Sequence, residues 1–313
     1  MKITLDLDAL VAEGKLTAAE AERLKGFAAR DTGELGSNVL FALGAAAVAT
    51  GVGVLVPTLA TAIALGAVLF AAGFWLRLMR VERWAVFAQI VMVIGALALL
   101  GGLGGLFGEH LWVRVALTAA TAVAAVMATS GLLAALAVLA FAATITLDVD
   151  LWTPTHYLSV AIVALSALVL GLYLLSLRIA LTYERLAIIA MRTAILLVNG
   201  AFFIGSIFGD ELLGWSGIYF SVAWAVALLA FGAWAVFANR RWVVNTVAVF
   251  GAIHFFTQWF MVLGAQPFSI LGGGLLLIGF GLALARFNRW VGTRRTAAAA
   301  AGAPTPRADG WKE

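Results

Sequence analysis

Five of the polar side chains in stretches apolar enough to lie in a bilayer have a chemistry that needs explaining first. Arg192, Asn199 and Ser206 are spaced by seven along one largely apolar stretch. A straight helix drifts only ~20° per seven residues, so the three share one face. Such a face can line a path for a polar substrate or hold an anion. The alternative is hydrogen bonding between helices, with Arg192 extending its guanidinium towards the membrane surface. His254 and Gln258 lie four apart in a later stretch, with Asn245 nearer its start. That pair can bind a ligand or relay a proton; equally, a neutral histidine can bond a neighbouring helix. Arg114, with Thr118 and Thr121 on its face, is expected to snorkel or to pair with Glu109. No Asp or Glu falls within the long apolar stretches. This counts against a proton- or cation-coupled carrier, which often holds a carboxylate near mid-bilayer.

Catalytic and metal chemistry have weaker signals. Gly214-Trp215-Ser216-Gly217 resembles the GxSG serine motif of rhomboid intramembrane proteases, with His254 as the available base. Ser216 is expected near the outer surface and His254 well below it, whereas nucleophile and base must reach hydrogen-bond distance. No HxxxN pairing supports the motif, because His110, His156 and His254 are followed four positions on by Arg114, Val160 and Gln258. The expectation is that the protein is not an enzyme. The acids Glu109, Asp148, Asp150, Asp210 and Glu211, with His110 and His156, can gather a divalent metal but read more simply as solvated loop charges. There is no cysteine, which excludes disulfides and thiolate sites. The glycine runs Gly101 to Gly108 and Gly272 to Gly274 suit close helix packing rather than a nucleotide loop. No cofactor is expected.

The composition explains why polar groups are so informative. The chain is 64% apolar and 12% charged, with a mean hydropathy of +1.05. Soluble domains are about 45–50% apolar and 25% charged, so the lipid bilayer is the expected partner. The net charge of +4 then says little about nucleic acid, and none is expected as a partner. What matters is where the basic residues sit.

Met1 to Leu10 carries Asp6 and Asp8 without a long apolar core, so it is expected to stay on the cytoplasmic side. Residues 1–37 read as a short cytoplasmic helical hairpin. Leu7, Leu10 and Val11 fall on one face before Gly14, and Thr17 with Glu20 forms a capping box for the second helix. Residues 38–290 read as an all-α transmembrane domain of about ten helices. The expected crossings are Asn38 to Val56, Thr58 to Leu76, Trp84 to Phe107, Leu111 to Ala128 and Leu132 to Leu147 in the first half. Tyr157 to Leu177, Leu186 to Phe208, Leu212 to Phe237, Trp242 to Leu263 and Pro267 to Leu284 follow. Residues 291–313 read as a disordered cytoplasmic tail.

The stretch Leu111 to Leu147 decides the count. As one helix it would be about 55 Å long at ~1.5 Å per residue, against a bilayer core of about 30 Å. Two crossings with a turn at Thr129-Ser130-Gly131 fit. With both termini inside, every Lys and Arg except Arg114 and Arg192 then falls on the cytoplasmic side. One crossing would move the Arg178, Arg240 and C-terminal clusters outside, against the positive-inside tendency. Trp84, Trp242 and Trp290 each follow an arginine at an inner edge, with Trp152 and Trp215 at outer edges.

The pattern Leu10…Gly14-Lys15-Leu16-Thr17…Glu20-Ala21…Arg23-Leu24 opens the chain. Phe255-Phe256…Phe268-Ser269…Gly272-Gly273-Gly274…Arg286…Arg289 closes it. The arrangement resembles bacterial membrane proteins grouped as domain of unknown function 2157. That resemblance implies a short cytoplasmic N-terminal segment and a multi-helix inner-membrane domain, and it transfers no functional residues. Two functions stay open. One is scaffolding or binding of a membrane or cytoplasmic protein partner through the N-terminal hairpin. The other is small-molecule transport, since ten crossings with both ends inside resemble the drug/metabolite transporter superfamily.

Overall fold

The computed structural model describes residues 10–11, 16–79, 84–108, 110–146, 157–237 and 241–300. Those residues are helical apart from turns and one isolated antiparallel bridge between Asp210 and Trp215. Among the described residues ten long helices run in order: α1 Ala18–Leu55, α2 Leu59–Leu78, α3 Ala85–Phe107, α4 Leu111–Met127, α5 Gly131–Thr146, α6 Leu158–Ser176, α7 Leu181–Phe208, α8 Gly217–Phe237, α9 Arg241–Leu263 and α10 Pro267–Ala300. Seven of them contain stretches long and apolar enough to cross a membrane. The apolar parts of α4, α5 and α10 are shorter, at Leu111–Met127, Gly131–Thr146 and Pro267–Ala283. Large apolar side chains such as Leu40, Trp112, Leu229 and Phe237 point outward, as a lipid-facing surface requires. The protein is a helical membrane protein. Its helices form two compact units, Thr4–Val198 and Asn199–Glu313, with the boundary inside α7.

Three boundaries differ from those the sequence suggests. The second hairpin helix and the first crossing are one helix, α1, with no break at residue 37. Its start has the expected box: the Thr17 backbone N–H and hydroxyl donate to Glu20 at 2.9 and 2.7 Å, and the Glu20 N–H donates back to the Thr17 hydroxyl at 3.3 Å. Those donors hold the Glu20 carboxyl below the usual carboxylate range. At the other end α10 continues to Ala300, because Thr296 is followed by an alanine run, the best helix formers. The helix expected from Leu212 begins only at Gly217. Asp210 and Trp215 exchange backbone hydrogen bonds at 2.9 and 3.0 Å, which closes a turn through Gly214 at φ +63°. The first hairpin helix around Leu7 and Gly14, Glu109, the loop with Asp148, Asp150 and His156, and residues 301–313 lie outside the described residues.

The doubling back at Thr129 is built as a helix stop followed at once by a helix start. The Ser130 N–H donates to the Ala125 carbonyl at 3.0 Å and the Thr129 N–H to Val126 at 3.2 Å. This is the Schellman pairing, with Thr129 rather than glycine in the left-handed region at φ +47°. Ser130, fully buried, then accepts the Leu133 N–H on its hydroxyl and so caps α5. Arg77 closes the remaining acceptors, donating from Nε to the Ala128 carbonyl at 3.0 Å and from Nη2 to the Thr129 hydroxyl at 3.3 Å.

In the first unit α2 and α3 pack backbone to backbone. A Cβ on Gly66 would lie 2.7 Å from the Leu99 nitrogen, and one on Gly73 the same distance from the Ala88 oxygen. A Cβ on Gly95 would collide with the Phe70 backbone. Each helix thus presents glycines seven apart, Gly66 with Gly73 and Gly95 with Gly102. Close approach of this kind substitutes for the hydrophobic drive that helices lack in lipid. Asn38 of α1 adds a polar tie by accepting the Phe87 N–H at 3.3 Å at the start of α3. Around them Met92, Leu133, Leu165, Ala134, Ala190 and Ala194 form an alanine-rich core.

Two outcomes follow. Gly95→Ala must separate α2 from α3 and is expected to destabilise the protein by about 1–3 kcal/mol. Gly101→Ala, with open space at its Cβ, is expected to be neutral or slightly stabilising; detergent-unfolding curves of the two variants check this. The Glu20 carboxylate, its folded pKa lowered, contributes above its unfolded value and ceases to contribute as pH falls through the folded one. Amide exchange at the first turn of α1 should therefore accelerate in acid, and Thr17→Ala should remove that pH dependence.

Candidate functional site

The polar residues of the second unit gather around a tryptophan. Trp224 lies in the middle of α8, 1% exposed. Its indole N–H must find an acceptor in a place without water. The Asn199 side-chain oxygen on α7 supplies it at 2.9 Å. His254 on α9 meets the other side of the same indole, edge to face, with ring centroids 4.9 Å apart. Phe203, one turn beyond Asn199, completes the enclosure at 6.4 Å. Helices α7, α8 and α9 are thus tied by one hydrogen bond and two aromatic contacts at a single side chain.

His254 and Gln258 bring the unusual feature. The His254 Nδ1 and the Gln258 Nε2 are both shielded from solvent and have no hydrogen-bond partner. Buried polar nitrogens of this kind are ordinarily paired. Below them the end of α9 is held by conventional means. The Trp259 indole donates to the Ser269 carbonyl at 2.9 Å, and the Ser269 hydroxyl accepts the Gln266 N–H at 3.0 Å, closing the turn through Gly264 at φ +70°. Trp259 also lies over Gly273, where a Cβ would stand 3.3 Å from its Nε1. Phe255 lies tilted against Trp259, with ring centroids 5.4 Å apart, and meets Phe280 edge-on at 5.5 Å.

The five residues singled out from the sequence therefore divide. Asn199 and His254 meet at Trp224, and Gln258 stands one turn from His254. Ser206 is 2% exposed and donates its hydroxyl to the Phe203 carbonyl at 2.7 Å, within its own helix. Its backbone oxygen would stand 2.6 Å from a Cβ on Gly217, so it marks a tight helix contact. Arg192 belongs to the first unit and is exposed. Seven-residue spacing gives these three residues one side of α7, but what packs there changes along so long a helix. Trp224 is the residue that sequence reasoning passes over. Its signal was a tryptophan deep within an apolar run, far from both interfacial belts.

The other chemical possibilities sit apart. Ser216 is exposed in the turn before α8. His254 packs against Trp224, eight positions later and roughly 12 Å further along α8 at ~1.5 Å per residue. Arg114 is buried, 7% exposed, so it does not snorkel; its pairing with Glu109 lies outside the described residues. Among the described residues no three His, Cys, Asp or Glu converge as a metal site would need. A cavity of about 410 Å³ lies in the first unit, and none of the five polar candidates lines it.

The Asn199–Trp224 bond is a single neutral interhelical contact, worth about 0.6 kcal/mol and at most about 1.7 in such settings. Trp224→Phe and Asn199→Ala should each destabilise the protein. The double variant should lose less than the sum, by that coupling, in a double-mutant cycle read by detergent unfolding. No known protein family, no curated protein and no solved structure matches the chain.

Proposed function

We propose that the chain is a ten-crossing protein of the bacterial inner membrane, with both termini in the cytoplasm, that acts by binding a protein partner at its N-terminal helix. On this reading it performs neither catalysis nor cofactor chemistry, and it is a relative of the domain of unknown function 2157 proteins. The observation that carries it is α1. The helix begins at the capped Thr17 and runs unbroken into the apolar span Ser37–Leu55. About 28 Å of helix, at ~1.5 Å per residue, thus stands outside the apolar span. A partner gripping that segment would act on a rigid extension of the first crossing rather than on a tether. The ten-crossing count is supported by the paired turn at Thr129. Because α4 and α5 double back there, the flanking loops keep their sides whether or not the pair reaches across. The inside placement of Arg178 and the C-terminal arginines is supported by the positive-inside tendency.

One observation favours a second reading, transport of a small molecule through a drug/metabolite-transporter-like bundle. The unpaired Nδ1 of His254, whose ring meets Trp224, and the unpaired Nε2 of Gln258, one turn further along α9, can bond a ligand. Against it, the cavity of the first unit is lined by apolar side chains.

Because the chain has no cysteine, single introduced cysteines report topology cleanly. On intact spheroplasts an impermeant maleimide should label Ser216→Cys and Ala265→Cys but not Thr129→Cys or Lys312→Cys. Labelling of Lys312→Cys would place the C-terminus outside and defeat the proposal. Deleting residues 2–36 should abolish recovery of whatever co-purifies with the intact protein; an unchanged set of partners argues against the helix. Uptake lost on combining Arg192→Ala, Asn199→Ala and His254→Ala, with expression intact, would favour transport instead.

A further inference from the structure

The 410 Å³ cavity of the first unit has a length, an apolar lining and, next to one end of that lining in the sequence, two exposed arginines, and together these point to an occupant. Its volume falls within the roughly 300–1,000 Å³ of small-molecule sites, but its walls are almost wholly hydrocarbon. Ala122 and Val126 of α4, Phe141 of α5, Leu168 and Leu172 of α6, and Ala187 of α7 are among the lining residues. From Thr118 to Val126 the lining runs roughly 12 Å along α4 at ~1.5 Å per residue. One leaflet of a bilayer core is about 15 Å deep, half of about 30 Å. The slot therefore spans most of the depth of one leaflet, which suits the greater part of one lipid tail, and Thr118 and Tyr183 are the only hydroxyl-bearing residues among its lining.

Basic residues adjoin one end of the slot in the sequence. Its lining finishes at Ile179 and Tyr183, in and just after the short link between α6 and α7. Arg178 precedes Ile179, and Arg185 follows Tyr183 by two; both are exposed. They outnumber the one acid of that segment, Glu184. On the opposing wall Val126 is the last lining residue before the Thr129 turn, where Arg77 is already engaged with Ala128 and Thr129. Tyr183 is 43% exposed, as suits a ring at the level of lipid headgroups. Basic groups between transmembrane helices at this depth are a setting for anionic headgroups.

We infer that this groove binds one acyl chain of an anionic phospholipid, with the headgroup phosphate held at Arg178 and Arg185. A tail in the groove leaves one apolar medium for another, so the tail alone gives little selectivity. Selection comes from the headgroup, while the groove fixes where that headgroup stands.

Native mass spectrometry of the full-length protein in detergent tests this, with dioleoyl phosphatidylglycerol and dioleoyl phosphatidylcholine as probes at equal concentration. The intact protein should retain one phosphatidylglycerol with about a tenfold preference over phosphatidylcholine. Arg178→Gln with Arg185→Gln should bring the two lipids to equal retention, and these exposed sites leave the core untouched. Ala122→Phe should remove the retained lipid by filling the groove. Val163→Phe, on the exposed face of α6 and outside the lining, should not. Equal retention of the two lipids by the intact protein would overturn the proposal. So would a phosphatidylglycerol preference that survives the double arginine substitution, or retention unchanged by Ala122→Phe in a protein that still elutes as a single species.

Discussion

A bilayer core has no water to hydrogen-bond a peptide group, so each N–H and C=O must find its partner within the chain. Helices meet that demand along their length and fail it at their ends. At the Thr129–Ser130 turn one helix stops and another starts within three residues, so the ends of both must be met by the same few groups. Here the Schellman bonds take up the end of α4, the Ser130 hydroxyl takes up the start of α5, and Arg77 covers the carbonyl left over. A threonine tolerates the left-handed backbone at this point with its hydroxyl bonded to that same arginine. The turn lets α4 and α5 lie side by side where one straight helix would have run on.

The two units hold their helices by different means. In Thr4–Val198 the contacts are made by what is missing: glycines at seven-residue intervals let the backbones of α2 and α3 touch, and alanines fill the core. Tight packing replaces the hydrophobic effect that lipid cannot supply. In Asn199–Glu313 the contacts are made by large aromatic rings with one polar handle each. Trp224 ties α7, α8 and α9, and Trp259 ties the turn into α10. Small residues permit packing in any register that brings them together, whereas an indole N–H selects the one register that offers an acceptor.

That difference shows in how readable each part was. The glycine run near Gly101 was legible as a packing surface, yet only Gly102 and Gly105 of it face a neighbour. Gly66, Gly73 and Gly95 bear the closest backbone-to-backbone contacts between α2 and α3 without forming a run. Polar residues in apolar stretches stood out because they are rare there, and Asn199 and His254 did converge. Their partner did not stand out, because a tryptophan in an apolar stretch looks like bulk until its N–H is asked for an acceptor. Arg192 and Ser206 show the opposite lesson. Spacing gives residues a shared side of a helix, but only the neighbours decide whether that side is buried.

By itself the sequence determined that the chain is helical and belongs in a membrane, because no aqueous fold can hide so much hydrocarbon. It also located the doubling back at Thr129, since length against bilayer thickness is a one-dimensional argument. It marked Thr17 and Glu20 as a helix start, because capping is local. The tertiary structure alone decided that α1 passes through residue 37 unbroken, that Trp224 rather than a cavity receives Asn199 and His254, and that α4 to α7 enclose an apolar slot. These are matters of which surfaces meet, and contacts between segments far apart in the chain leave no periodicity to read.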